Sequence, residues 1–392
     1  MITALPTRTR RGFHFRRGAL AVAILFGLAI VAWCFVQRVP SLEQGEAFFN
    51  AGKFDAALEI AERRLVRFPD DIDAWKLKAL CLERAGDLSN AADAFAKVSE
   101  RSPNDWELRY HLAMTLLQSG RLEAAEYQFR RLLEERADSE SVQTELQWLL
   151  FNQMREREVE TLLEGILVRQ PAEFRVLYHL LASRQRHPIP QESVGLLELA
   201  NKTVPGQSTV ELALGRCVWK LGDPVRAMEL FTLARKENSR NLETALVVAE
   251  FLFEQGDLTA ADAMLAPPEG TPGDMWQNDD RWWWLRGQLA IQRQDWGEAL
   301  VAIEGAVQRR PGEVRYVNAH ATILRALNRA AEAAAVHERA ERLADAEREL
   351  YVLVSSGALE KPTRMVFRDA ARHCATLHRQ AQAAGWEKLA MQ

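Results

Sequence analysis

The hydrophobic positions of this chain fall into two regimes: one unbroken apolar run near the start, then apolar columns that recur at a fixed spacing. From Ala19 to Val36 the run ALAVAILFGLAIVAWCFV holds eighteen residues without a charge, ten of them Leu, Ile, Val or Phe. Each of those ten favours bilayer insertion by roughly 0.3–0.6 kcal/mol, about 3–6 kcal/mol together. At 1.5 Å per residue the segment reaches about 27 Å, just enough for a hydrocarbon core. A buried soluble helix would be expected to show a polar face, so the pattern predicts a transmembrane helix over 19–36.

The second regime is a frame of 34 residues. Gly52 in AGKFDAALEIAERRLVRFP is followed by Gly86 in AGDLSNAADAF and Gly120 in SGRLEAAEYQF, and further steps of 34 reach Met154, Pro188, Gly222 and Gly256 without an insertion. After four extra residues the frame resumes at Gln294 and Asn328. Five residues after this marker stand Ala57, Ala91, Ala125, Ala227, Ala261, Ala299 and Ala333, with Val159 and Ser193 departing. Nine after it stand Phe95, Phe129, Leu163, Leu197, Phe231, Leu265 and Ile303; seventeen after it stand Pro69, Pro103, Pro171, Pro205 and Pro311. Seven before it, small residues recur at Gly45, Ala79, Ala113, Gly215, Ala249, Gly287 and Ala321.

These columns describe helical hairpins. Glycine at the marker supplies a tight or left-handed turn at low cost. Small residues before and after it let two antiparallel helices approach, and the bulky residue nine on is expected to fill the space between hairpins. Proline then stops the second helix, because it cannot continue a helix interior. A single hairpin cannot bury its own apolar side, so neighbours must stack on it.

The period, the G-x-[aromatic or Leu]-x-x-A turn and the closing proline resemble the tetratricopeptide repeat (TPR) over about residues 41–345, with Met154 and Pro188 marking degenerate units. The resemblance implies an all-α, right-handed superhelix of about nine hairpins, preceded by the transmembrane helix. Two regions break the frame. Residues 266–280, rich in Pro and Gly, lead into Trp282-Trp283-Trp284; these tryptophans are expected to clamp the next hairpin or, as a loop on a rigid scaffold, to contact a partner. Beyond Asp345 the repeat decays: 346–356 read as one more first helix and 362–384 as a longer polar helix, so that 346–392 is a degenerate repeat with a capping helix.

Charge gives the anchor a direction. Residues 1–17 carry Arg8, Arg10, Arg11, Arg16 and Arg17 and no acid, whereas only Arg38 follows the apolar run closely. The positive-inside rule places 1–18 in the cytoplasm and the repeats outside it, making 19–36 a signal anchor of the cytoplasmic (inner) membrane. Trp33 occupies the place where a cleavable leader or a lipidated Cys34 would need a small residue. Without those five arginines, 45 of the 50 basic residues remain against 54 acidic ones, a balance of −9. That balance provides no basic stripe for nucleic acid.

Chemistry is not legible. The chain holds no phosphate-cradling glycine loop, no G-x-S-x-G elbow and no H-E-x-x-H pair, so no cofactor, metal, small-molecule substrate or catalytic residue is assigned. Cys374-Ala-Thr-Leu-His378 lacks the second cysteine of a haem-attachment motif. The acid pairs Asp70-Asp71 and Asp279-Asp280 fall at turns, where aspartate caps helices. Cys81, Cys217 and Cys374 read as buried packing residues.

In tetratricopeptide proteins the first helices line the groove that receives partner segments. The resemblance therefore implies protein or peptide partners held by residues ten, six and three before the marker: Tyr110, Tyr178 and Trp284; Met114, Trp148, Arg216 and Glu250; Phe151, Trp219 and Phe253. A lysine and asparagine clamp for chaperone tails is not matched, since Leu80 follows Lys76 where the asparagine belongs. The expected function is a membrane-anchored scaffold of the bacterial cell envelope. The alternatives are a cytoplasm-facing membrane-tethered regulator and the regulatory subunit of an enzyme complex.

Overall fold

The computed structural model of the protein describes residues 41–185, 188–238, 240–268 and 273–392. The expected membrane span at 19–36 lies outside them. Among the described residues no helix is long and apolar enough to cross a membrane.

All regular elements among the described residues are α-helices, arranged as ten consecutive pairs: α1 (Leu42–Asn50) with α2 (Phe54–Arg67), α3 (Ile72–Ala85) with α4 (Leu88–Arg101), α5 (Trp106–Gln118) with α6 (Leu122–Glu135), α7 (Glu140–Asn152) with α8 (Glu156–Arg169), α9 (Phe174–Ser183) with α10 (Pro190–Thr203), α11 (Ser208–Lys220) with α12 (Pro224–Glu237) and α13 (Leu242–Glu254) with α14 (Leu258–Met264). A short α15 (Gly273–Gln277) follows, then α16 (Asp280–Gln292) with α17 (Trp296–Arg309), α18 (Val314–Ala326) with α19 (Ala330–Ser355) and α20 (Arg364–Thr376) with α21 (Gln380–Met391). The chain divides into two compact units, the first ending at Leu108 and the second spanning Arg109–Gln392.

The pairs share one turn. At nine junctions the residue in the marker position has φ between 58° and 91°. In each of them the next amide donates to the carbonyl four residues before the marker, as in Asp87 N–H to Leu82 and Arg155 N–H to Leu150, at 2.9–3.1 Å. Gly86 shows the chemistry: it is left-handed at φ 81°, and Asp87 beside it caps α4 by accepting from the Asn90 amide. Met154, Gln294, Asn328 and His378 take the same bend without glycine, at a steric cost that the bond helps to offset. Pro188 is the exception, since its ring holds φ negative. Each proline of the last column sits one residue past a helix C-cap, after α2, α4, α8, α10 and α17.

Close approach explains the small columns. Ala57, Ala91, Ala125, Ala227, Ala299 and Ala321 are fully buried. A methyl group added at Gly215 would lie 2.5 Å from the Phe231 ring, and one at Gly287 2.6 Å from Ile303. Phe231 and Ile303 thus fill space under the small residue of their own hairpin, in addition to the expected place of this column between hairpins. Phe231 does both, since its ring also meets Phe251 of the following pair edge-on at 5.2 Å. In the first unit a methyl group added at Gly45 would lie 2.6 Å from Leu77 of the following pair and 3.1 Å from Ile60 of its own, over a core of Ala57, Ala61, Leu77 and Cys81.

The end of the chain departs from expectation. Residues 346–355 continue α19 into a helix of 26 residues; neither Gly nor Pro interrupts it until Gly357, at φ 73°. The single helix expected over 362–384 is instead two, broken at His378, where the shared turn recurs without glycine to announce it. Nor does this last pair face solvent as a simple cap, for within the second unit it packs onto helices some 200 positions earlier. Phe174 of α9 meets Trp386 at 5.9 Å and Phe367 at 6.1 Å. A methyl group at Gly385 would lie 2.4 Å from the Pro171 carbonyl, and Trp386 is fully buried.

The tight fit at Gly215 makes a measurable prediction. Gly215→Ala should lower unfolding stability by about 1–3 kcal/mol through overpacking against Phe231. Gly195→Ala, in α10 where a methyl group meets open space, should be neutral or stabilise by up to about 1 kcal/mol. Urea titrations of the two variants check this, and equal stabilities would refute the packing account.

Candidate functional site

All ten groove candidates lie in the second unit, on first helices, and none is fully buried. Trp148 and Glu250 are exposed, Trp148 at 47%. Tyr110, Met114, Phe151, Tyr178, Arg216, Trp219, Phe253 and Trp284 are half-buried. Three of them make ring contacts with residues outside this set. Trp219 meets Phe251 edge-on at 5.4 Å, Tyr178 stacks on Phe174 at 6.3 Å, and Trp284 lies tilted on Tyr316 at 5.0 Å beneath the Arg315 guanidinium. Arg216 is likewise engaged internally, donating to the Met154 carbonyl at 2.7 Å and pairing with Glu243 at 3.4 Å. The Tyr110 hydroxyl is pushed above its ordinary value by burial and by the charge of Glu145. Arg216, Trp219 and Trp284 therefore hold hairpins together, whereas the stacking of Tyr178 stays within α9. Trp148 and Phe151, three residues apart on α7, are the aromatic pair with most surface left over.

The three consecutive tryptophans act as a clamp. Trp282 Nε1 donates to the Leu265 carbonyl at 2.8 Å and Trp283 Nε1 to the Gln277 carbonyl at 2.7 Å. These bonds tie both ends of the Pro/Gly loop to α16. Trp283 also covers Gly305 so closely that a methyl group there would come within 2.6 Å, and the Arg309 guanidinium lies 5.0 Å from its ring centre.

A polar clasp that sequence patterning missed joins α8 to helices far along the chain. Arg157 makes two hydrogen bonds of 2.6 Å to the Asp280 carboxylate, which also accepts from the Tyr316 hydroxyl at 2.6 Å. Glu160, on the same helix, pairs with both Arg184 and Arg310. Of the acid pair read as helix caps, Asp279 does cap, accepting from the Arg281 amide at 2.8 Å. Asp280, only 5% exposed, is instead the centre of the clasp. Burial alone would raise its carboxyl, but the hydrogen bonds and charge of Arg157, joined by the Tyr316 hydroxyl, hold it down at about 2. Tyr316 is pushed up by burial and by that neighbouring carboxylate. The one sequence signal was Asp280 itself, an acid at the first position of an otherwise tryptophan-rich helix.

Cys81, Cys217 and Cys374 are buried free thiols, each pushed up to about 11 by burial. Among the described residues no group of His, Cys, Asp or Glu is placed to hold a metal ion.

Comparison with known proteins agrees with the hairpin geometry. Two tetratricopeptide-repeat family models match residues 42–105 and 82–149, so this part of the chain carries tetratricopeptide repeats. Human tetratricopeptide repeat protein 21A is 24% identical over 198 residues, which are 47% of this chain and 15% of that protein's length. Among solved structures, the APC/C hetero-tetramer Cut9–Hcn1 is 14% identical and covers 89% of this chain and 75% of its own, with a TM-score of 0.40. Yeast Tom70 is 13% identical and covers 89% and 94%, with a TM-score of 0.33. Repeats of this type generally serve protein–protein interaction.

The clasp sets a pH dependence. Because Asp280 titrates near 2 when folded, below the ordinary 3.8, its stabilisation is complete above about pH 4 and fades as pH falls toward 2. Asp280→Asn removes the carboxylate that Arg157 bonds twice, leaving it Asp279 at 3.9 Å, and should cost about 3 kcal/mol at pH 7. Chemical denaturation across pH should show the gap from wild type narrowing between about pH 4 and pH 2. A gap independent of pH would mean that the carboxylate charge contributes nothing.

Proposed function

We propose that the protein is a non-enzymatic scaffold, held in the cytoplasmic membrane by residues 19–36 with 1–18 in the cytoplasm. Its tetratricopeptide hairpins then serve protein or peptide partners of a cell-envelope assembly outside the cytoplasm. The observation that carries the partner reading is Trp148: a tryptophan on a first helix with 47% of its surface open to solvent, one turn from half-buried Phe151. Tryptophan is enriched among the residues that dominate interface energies, because it covers much apolar area at little entropic cost. Phe253, half-buried beside exposed Glu250 on α13, is the next candidate. The arginine-rich leader and the uncharged run behind it support the anchor and its direction.

Two experiments test this. A reporter fused after residue 392 should be active only if exported, and activity confined to the cytoplasm would reverse the topology. Captured partners should bind Trp148→Ala at least about thirtyfold more weakly than wild type, a loss of about 2 kcal/mol, while the melting temperature stays unchanged because the side chain is exposed. An identical partner set at identical affinity would remove Trp148 from the binding surface.

A further inference from the structure

We infer that the outer flank of α12 is a second docking surface, distinct from the first-helix face, which takes an amphipathic helix bearing an apolar stripe flanked by lysine or arginine. The starting observation is a helix cut short. α14 has seven residues where α12 and α17 each have fourteen, because Pro267 and Pro268 end the second helix early. Less second-helix surface is therefore available beside α12. A groove of about 830 Å³ lies along that flank, to which α14 contributes only its capping Asp257.

The lining tells what fits. Val225, Met228 and Leu233 share one face of α12 at helical spacing and are 72%, 39% and 46% exposed. Phe251 and Leu252, from the last turns of α13, line it from the other side. An apolar face with this spacing is what a packed helix presents to a neighbouring helix. The charges on the groove are Glu229 and Asp257, and no cation lines it. The cations of α12 are elsewhere: Arg226 pairs with Glu198 at 2.8 Å, and Arg235 and Lys236 sit in the last turn. Among the described residues Glu229 has no ion-pair partner; Glu254, beside the groove, makes no ion pair within 4 Å, although it feels the charges of Glu250 and Lys220. A helix laid here covers the apolar face and brings cations to the carboxylates, whereas an acidic helix meets like charge.

The test uses the full chain in a zwitterionic detergent and two fluorescent helical peptides with the same leucine stripe, one flanked by lysine and one by glutamate. Partitioning into micelles is common to every protein variant, so the readout is the difference between variants. The lysine peptide should bind wild type at least tenfold more tightly than the glutamate peptide. Its affinity should fall at least tenfold in Met228→Glu and again in Glu229→Lys, both exposed positions whose helicity circular dichroism can verify. It should be unchanged in Trp148→Ala, which separates this surface from the first-helix face. Equal binding of the two peptides, unchanged binding by Met228→Glu, or loss of binding in Trp148→Ala would overturn the proposal. Self-association of the protein abolished by Met228→Glu would also overturn it, by assigning the groove to a second copy.

Discussion

The structure depends on one repeated constraint: a left-handed bend that ends a first helix and lets the next amide reach back to the carbonyl four residues before the bend. That bond fixes the angle at which the second helix leaves. Close approach then follows only if the facing positions are small, and the buried alanines and glycines supply that condition. Bulky Phe231 and Ile303 can lie under Gly215 and Gly287 because no side chain stands in the way. Glycine makes the bend cheap, but Met154, Gln294, Asn328 and His378 show that the bond and the packing can impose it on other residues. Turn and small columns are therefore coupled, and neither would specify the hairpin alone.

Within the second unit a different kind of interaction takes over. Stacking alone would leave the last pair exposed on one side. Instead Phe174, Phe367 and Trp386 form an aromatic contact between pairs far apart in sequence. A short distance along α8, Arg157 and Glu160 bind Asp280 and Arg310, 123 and 150 positions away. Buried ion pairs of this kind add little net stability when complete, but losing one partner is costly.

This arrangement sorts the aromatic residues into two roles. Trp219, Trp284 and Tyr178 lie on columns that the repeat register predicts to face a groove, yet each is engaged with a neighbouring ring. Trp148 shares their kind of column and keeps much of its surface free. The Pro/Gly loop has its own consequence: it shortens α14, it is tied down by Trp282 and Trp283, and it leaves the flank of α12 less covered. One irregularity in the repeat thus creates both a rigid clamp and an open groove.

The chain's own sequence determined the local unit. Helix pairs, bends, stop prolines and small columns all follow from residues within one 34-residue step, because turn geometry and helix pairing are short-range. It also specified the uncharged run at 19–36. Two features went unread even at short range, since they lack the expected residue: the uninterrupted α19 and the bend at His378. Only the tertiary structure decided that Asp280 is the centre of a clasp, that Arg216 is spent on Met154 and Glu243, and that Trp386 is buried against Phe174. Those contacts join positions with no common period, and a single sequence carries no mark of a pairing that arises only when distant hairpins meet.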